Sequence, residues 1–504
     1  MNIGCKRARA SFGRSRKDRT NAAILVCGVL LFSGCAHAPL NKPLPSVSGT
    51  GGYRVTAREF PKGRGDLLLL LFFSGGGMRA AGFSYGVLEE LNATEIPVQG
   101  RTDRLLNQVD SISAVSGGAF TAAYYCLYGP DAFSTYEKRF LKRNIQSQLL
   151  LSCLRPDNAV RLMSPYYGRS DVAAAYYDRH LFHHATYQQL ASIPGRPFLV
   201  INATDLENGA RFSFTQTSFD LLASDLGPYP IGRAVAASSA VPLLLTPITL
   251  RNYSRPGATP PVRGVEEEDI LTDRLKRLVF ELSIYSSFDG HGYVHLVDGG
   301  VSDNLGLRAM QEFTMLNGGL SGTLKAMNLA NVDKIAVIVV DSSIHNKIAW
   351  SQSEAIPGTF SVLAGIGNSF LSRDNYETTE LFRQSMRLWQ LEMEARDRVR
   401  VAQGHSPRHI RFYDIGIDFS GVPGAQSRAT LYQLPTGFSL PPQSIDLLRT
   451  SARQALKANA EYNRLLDDLR TPETAGEIPS ESNGSSRQTS ARRLSDDGDG
   501  KTQR

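Results

Sequence analysis

Cysteine is scarce in this sequence, with five in 504 residues. Cys5 and Cys27 fall in the N-terminal segment, which leaves Cys35, Cys126 and Cys153. No paired Cys/His spacing occurs, so the usual zinc frameworks are excluded, and the His183-His184 doublet reads as a surface or core feature. Spacing leaves open whether Cys126 and Cys153 pair or stay two separate thiols. Long apolar runs are also missing near the N-terminus: "AAILVCGVLLF", residues 22–32, is too short to span a bilayer comfortably. No internal repeat is present, which excludes a solenoid or propeller. Net charge is low where it would matter. The formal +7 is concentrated in residues 1–34, which hold seven basic residues and one acid, so a chain without them carries only +1. So small an excess gives little attraction for phosphate backbones and argues against nucleic acid as a partner.

What is present is ordinary globular material, 42% hydrophobic and 20% charged, enough for a sizeable core. The N-terminus combines a basic stretch, the apolar run and then Phe32-Ser33-Gly34-Cys35, the layout of a secretory signal. The ending resembles the bacterial lipobox, with Phe32 where leucine is usual. That resemblance implies a lipoprotein signal peptide over 1–34 and lipidation at Cys35. It also implies attachment to the bacterial envelope through an N-terminal lipid anchor. Alanine at residue 36, not aspartate, points to the periplasmic face of the outer membrane. "APLNKPLPSVSGTGG" is rich in Pro, Gly and Ser, so residues 35–60 are expected to be a flexible tether, with ordered structure from near Tyr53.

Beyond the tether, "DLLLLLFFS" (66–74) is a continuous apolar run of strand length, as in a strand buried on both faces of a parallel sheet. "GGGMRAAGFSYGVLEELN" follows as a Gly-rich turn and a helix with Phe83, Val87, Leu88 and Leu91 on one face. "VDSISAVS" and the segment after it repeat that plan, and two strand–turn–helix units in succession indicate an α/β fold. "RPFLVINATDLENGARFSFTQ" reads as two strands joined at Asn208-Gly209, a strong hairpin pair. "IGRAVAASSAVPLLLTPI" reads as a small-residue helix halted at Pro242, and 252–292 as an inserted loop. Strands are expected at "YVHLVDGG", "KIAVIVVDSS" and "YDIGIDF". Long helices are expected at 376–402, with Phe382, Met386, Trp389 and Met393 as the apolar stripe, and at 451–469. Residues 346–470 are then a mixed α/β extension packing on the core, and the Ser/Gly/Asp/Arg-rich 471–504 a disordered tail.

The chemistry is carried by three short stretches. In "SAVSGG", Ser116 sits on a tight strand-to-helix turn whose flanks, Ala114, Gly117 and Gly118, are small enough for a strained backbone. A serine hydroxyl needs a base. Asp298, at the strand end in "VDGG", is better placed than His295, which lies within the strand. In "SGGGMR", Gly75, Gly76 and Gly77 expose backbone amides before a helix, which suits an oxyanion. A dinucleotide-binding turn is the rival reading there, but Ala80 takes the third glycine position and the acidic residue expected about 20 positions on is not apparent.

In this order and spacing, "GGGMR", "SAVSGG" and "VDGG", with "FLVINATDL" and "AASSAVPLLLTP" between them, resemble the patatin-like phospholipase family over roughly residues 66–310, and at most to about 345. Ala114 and Ala80 stand where the family often has glycine. The resemblance implies a three-layer α/β/α sandwich around a mainly parallel sheet, a catalytic domain over 66–345 and a Ser116–Asp298 dyad. It further implies an oxyanion hole of Gly75, Gly76 and Gly77, with Gly118, Gly299 and Gly300 in support and with Arg79 supporting either this loop or the substrate's anionic group. No metal or cofactor is needed for that mechanism. The expected substrate is a lipid or phospholipid ester. A non-catalytic envelope lipoprotein that uses the fold as a binding or scaffolding surface is the competing expectation.

Overall fold

The computed structural model describes residues 36–46, 50–57, 66–255, 273–287, 292–329, 331–344, 354–356 and 358–471. The expected signal segment, Cys35 and the expected tail beyond 471 lie outside the described residues. The core is one eight-stranded sheet. Its strands are β1 (Leu67–Phe73), β2 (Val109–Val115), β3 (Phe198–Asp205), β4 (Arg211–Ser213), β5 (Ile248–Arg251), β6 (Tyr293–Asp298), β7 (Lys334–Val340) and β8 (Arg411–Ile417). Hydrogen-bonded neighbours follow the path β8-β7-β1-β2-β3-β6-β5, with β4 also paired to β3. The first five run parallel, while β6 and β4 are antiparallel to β3.

All seven residues of β1 are buried, and period-two alternation divides them between two cores. Leu67, Leu69, Leu71 and Phe73 face one side, together with Ile112 and Ala114 of β2. Leu68, Leu70 and Phe72 face the other, with Val337 and Val339 of β7. The first side is covered by α1 (Gly77–Ala93), α2 (Ser116–Tyr128) and α8 (Pro442–Ala458); the second by α7 (Thr359–Ala402) through Phe382, Met386 and Trp389. This is the expected three-layer sandwich, and the predicted stripe of the long helix is the face that packs. No helix among the described residues is long and apolar enough to cross a membrane.

Three expectations need correction or extension. The stretch read as a flexible tether packs on the domain over much of its length. Lys42–Pro43 pairs with Ser224–Asp225. The amide of Asn41 donates to Ser224 Oγ and the Arg251 carbonyl, both at 2.8 Å. Tyr53 stacks on Phe198, its hydroxyl accepts the Leu199 N–H at 2.8 Å, and Arg54 makes a buried ion pair with Asp220. Bulk composition marked the stretch as mobile, but three individual side chains supply the bonds that hold it. The expected loop 252–292 contains α6 (Asp273–Ser287), whose buried residues Leu278 and Tyr285 are two turns apart on one face. So narrow a stripe is lost in a polar average. The C-terminal extension does more than pack on the core: β8 completes the sheet, and α8 lies on α1. Gly86 permits that approach, because a Cβ there would overlap the Arg449 backbone. No disulfide joins Cys126 and Cys153.

Candidate active site

Residues on either edge of β3 locate Ser116 and Asp298, the serine and carboxylate expected to pair. Asn202 pairs with Val115 of β2 on one edge and Ser213 of β4 on the other. Ala203, one residue on, pairs with Asp298 of β6 and Phe212 of β4. Strands β2 and β6 therefore share an edge of β3, run toward each other, and end one residue apart. Ser116 and Asp298 are the two chain ends that meet at that junction. The Ser116 hydroxyl donates to Asp298 Oδ2 at 2.7 Å, and both residues are buried.

Ser116 has a φ of 47°, a left-handed conformation that a non-glycine residue enters at a cost. The strain is held by partners on three sides. The Ser116 N–H donates to Ser238 Oγ at 2.8 Å, and the Ser238 hydroxyl donates to the Asn202 carbonyl at 2.6 Å. A Cβ on Gly117 would overlap the Gly77 carbonyl, and one on Gly118 would come 2.7 Å from Phe73 Cβ and Ser74 O. The small flanks predicted from the sequence are thus a packing requirement imposed by β1 and the Gly-rich turn.

Asp298 is equally constrained. Its N–H donates to the Ala240 carbonyl at 3.0 Å, and Thr204 Oγ1 donates to its carbonyl at 2.9 Å. The Gly300 N–H donates to Oδ1 at 2.8 Å. Burial pushes the carboxyl up to about 6, against the hydrogen bonds from Ser116 and Gly300 that pull it down. A Cβ on Gly299 would overlap the Asn202 carbonyl, so both supporting glycines have a local reason. His295 is not part of this junction: its side chain is exposed and its Nδ1 lies 3.1 Å from Thr249 Oγ1.

The Gly-rich turn lies against the serine, with Gly75 Cα directed at the Ser116 side chain such that an added Cβ would sit 3.4 Å from Ser116 Cβ. Its amides are not equivalent. The Gly75 N–H is already donated to the Asn304 carbonyl at 2.9 Å, which removes it from the expected trio of oxyanion donors. The Gly76 and Gly77 amides have no acceptor among the described residues. They open α1 beside the start of α2, so two helix N-termini converge on the Ser116 hydroxyl, an arrangement that favours negative charge.

Arg79 explains how the turn is held. It is buried, with Nε donating to the Ser342 carbonyl at 2.8 Å and one terminal nitrogen to the Leu434 carbonyl at 2.9 Å. Burial holds its pKa down to about 10, opposed by nearby Asp341. Both contacts are structural, so of the two roles open to it Arg79 takes the loop-supporting one. The Met78 N–H donates to the Gly437 carbonyl at 2.7 Å. Sequence reasoning did not single out Ser238, Asn304, Ser342 or Gly437, which lie far along the chain from the residues of the elbow and the Gly-rich turn that they hold. Ser238 sits inside "AASSAVPLLLTP", a stretch already noted for its resemblance, and that was the one available sign.

Residues 71–310 match the family model of patatin-like phospholipases. No curated protein matches the chain. Among solved structures, human GIVD cytosolic phospholipase A2 is 13% identical with a TM-score of 0.40, over 80% of this chain and 60% of that one. Its complex with methyl gamma-linolenyl fluorophosphonate is 13% identical with a TM-score of 0.38, over 83% and 62%. This chain thus spans less than two thirds of the length of those structures. With its strand–elbow–helix unit, opposed aspartate and Gly-rich turn in family order, the region from residue 71 to 310 is a patatin-like phospholipase domain.

Proposed function

We propose that this domain hydrolyses carboxylic esters of lipids through the Ser116–Asp298 dyad. The observation that carries the reading is the 2.7 Å hydrogen bond from the Ser116 hydroxyl to a buried carboxylate. A base that titrates near neutrality can both take a proton and return it. In the first half-reaction Asp298 takes the Ser116 proton as Oγ attacks the ester carbonyl, and the Gly76 and Gly77 amides receive the oxyanion. The leaving alcohol takes the proton from Asp298. In the second half, Asp298 deprotonates a water that attacks the acyl-serine, and the protonated aspartate returns its proton to Ser116 Oγ as the carboxylic acid leaves. Each step uses this chain's own residues.

Phospholipid or lysophospholipid is the substrate class proposed, by the family assignment and by the N-terminal features. In this reading Cys35 carries lipid and tethers the domain to the bacterial envelope, at the periplasmic face of the outer membrane. The test is labelling with a fluorophosphonate probe. The wild-type chain is expected to label and Ser116→Ala to remain unlabelled; a wild-type protein that fails to label overturns the dyad. Cys35→Ser is expected to leave the chain without palmitate in metabolic labelling, and retained label overturns the anchor.

A further inference from the structure

The side of the domain next to the dyad carries an unusual density of exposed apolar side chains. On α3 (Ile145–Leu154), Ile145 and Leu149 are buried while Leu150, Leu151 and Leu154 are 62%, 59% and 67% exposed. Leu243 and Leu244 are 65% and 66% exposed in the turn that begins just after Ser239 and Ala240. Met163 and Tyr166 add 52% and 59%. These residues are joined into one face by specific contacts. Arg169 donates to the Leu243 carbonyl at 3.0 Å and acts electrostatically on the Cys153 thiol beside Leu154. The Gln146 N–H donates to the Phe438 carbonyl at 3.3 Å, next to Gly437, which braces the Gly-rich turn. The Leu243-Leu244 turn follows Ser238, whose hydroxyl holds the Ser116 amide.

We infer that this face is where the domain docks on a phospholipid bilayer, with the leucines entering the acyl region around the dyad. Two further observations select a lipid surface as the occupant. The chain arriving from the N-terminal segment enters the fold on this face: Ser164 Oγ donates to the Ala36 carbonyl at 2.7 Å, the Ala38 N–H donates to the Tyr166 carbonyl at 2.9 Å, and His37 stacks on Tyr166. An anchor on Cys35 would hold this face, rather than the opposite one, against the membrane. Exposed Arg155, Arg161 and Arg169 border the leucines with one acid among them, Asp157, paired to Arg155 at 3.2 Å. An apolar patch rimmed by cations suits acyl chains under anionic headgroups, and isolated surface leucines have no such company.

The inference rests on the hydrolase reading, so its test has an arm that does not need turnover. In the first arm the wild-type chain and a Leu150→Ser/Leu151→Ser/Leu154→Ser variant are assayed on two substrates, phosphatidylglycerol-containing phosphatidylcholine vesicles and a short-chain ester below its aggregation limit. All three positions are exposed, so the fold is expected to survive, as checked by thermal melting. The vesicle-to-monomer rate ratio is expected to fall about tenfold or more with the loss of three apolar insertions. A ratio that stays at the wild-type value overturns the inference. In the second arm Leu244→Trp is read by fluorescence on vesicles of brominated phosphatidylcholine. Quenching beyond that of the unsubstituted chain is expected, and its absence overturns the inference. If the wild-type chain cleaves neither ester, the hydrolase reading fails and the quenching still decides the docking face. A triple variant that changes self-association in sedimentation while keeping the vesicle ratio assigns the face to a second copy of the chain and overturns the bilayer.

Discussion

The Ser116 hydroxyl meets Asp298 because consecutive residues of β3, Asn202 and Ala203, pair with Val115 at the end of β2 and with Asp298 at the end of β6. Two strands that run toward each other along one edge stop one residue apart, and Ser116 Oγ and Asp298 Oδ2 lie 2.7 Å apart at the junction. Rigid sheet pairing thus sets the geometry to within a hydrogen bond, which is the precision catalysis requires.

The pH dependence follows from the base. In the proposed mechanism Asp298, raised to about 6 by burial, must be ionised to accept the Ser116 proton. kcat/KM is therefore expected to rise as pH passes upward through about 6 and to level off above it. A profile measured on a soluble ester that is flat between pH 5 and 7 would remove Asp298 from the base role.

Replacing that base separates activity from stability. Asp298→Asn is expected to lower kcat by about a thousandfold or more while the protein stays folded. The folded-state carboxyl lies above its unfolded value, so its contribution to stability is present at acid pH and lost as pH rises through about 6. The amide avoids that loss. The variant is expected to gain up to roughly 3 kcal/mol over wild type above pH 7 and nothing at pH 4, read by denaturant melts at both.

Gly117 is required by its neighbour. A methyl there would overlap the Gly77 carbonyl. Gly117→Ala is expected to push the Gly-rich turn off the serine, abolish fluorophosphonate labelling and cost about 1–3 kcal/mol by overpacking. Gly195, with open space around its Cβ position, is the control: Gly195→Ala is expected to cost about 1–2 kcal/mol for its positive φ and to label normally.

Arg79 ties the Gly-rich turn to the Ser342 and Leu434 carbonyls. Arg79→Met leaves the Ser342 and Leu434 carbonyls without their donor, at an expected cost of about 2–4 kcal/mol in unfolding free energy. It is expected to lower kcat more than it changes KM. A loss confined to KM would assign Arg79 to substrate binding instead. Arg79→Lys, with one ammonium for two carbonyls, is expected to recover only part of both.

The segment from Ala36 to Ala57 is predicted to matter for folding. Arg54→Ala leaves Asp220 as an uncompensated buried charge, with an expected loss of about 3–5 kcal/mol in denaturant melts. A neutral result would return this stretch to the status of a tether.

The amino-acid order by itself determined the α/β class, the position of the elbow and the carboxylate that answers it. Those features are local: an apolar run of strand length, small residues around Ser116 where the turn is tight, and a turn-former pair after Asp298. They register in a few consecutive residues because steric limits on φ and ψ act at that range. What only the tertiary structure decided depends on groups far apart in the chain. Gly75 looked equal to Gly76 and Gly77 until the Asn304 carbonyl was seen to occupy its amide. Arg79 could have met a substrate anion until Ser342 and Leu434 were seen to hold it. The proline- and glycine-rich entry segment read as loose until Asn41, Tyr53 and Arg54 found partners in other elements. A hydrogen-bond donor carries no mark in the sequence of the acceptor it will meet, and burial alone makes that meeting obligatory.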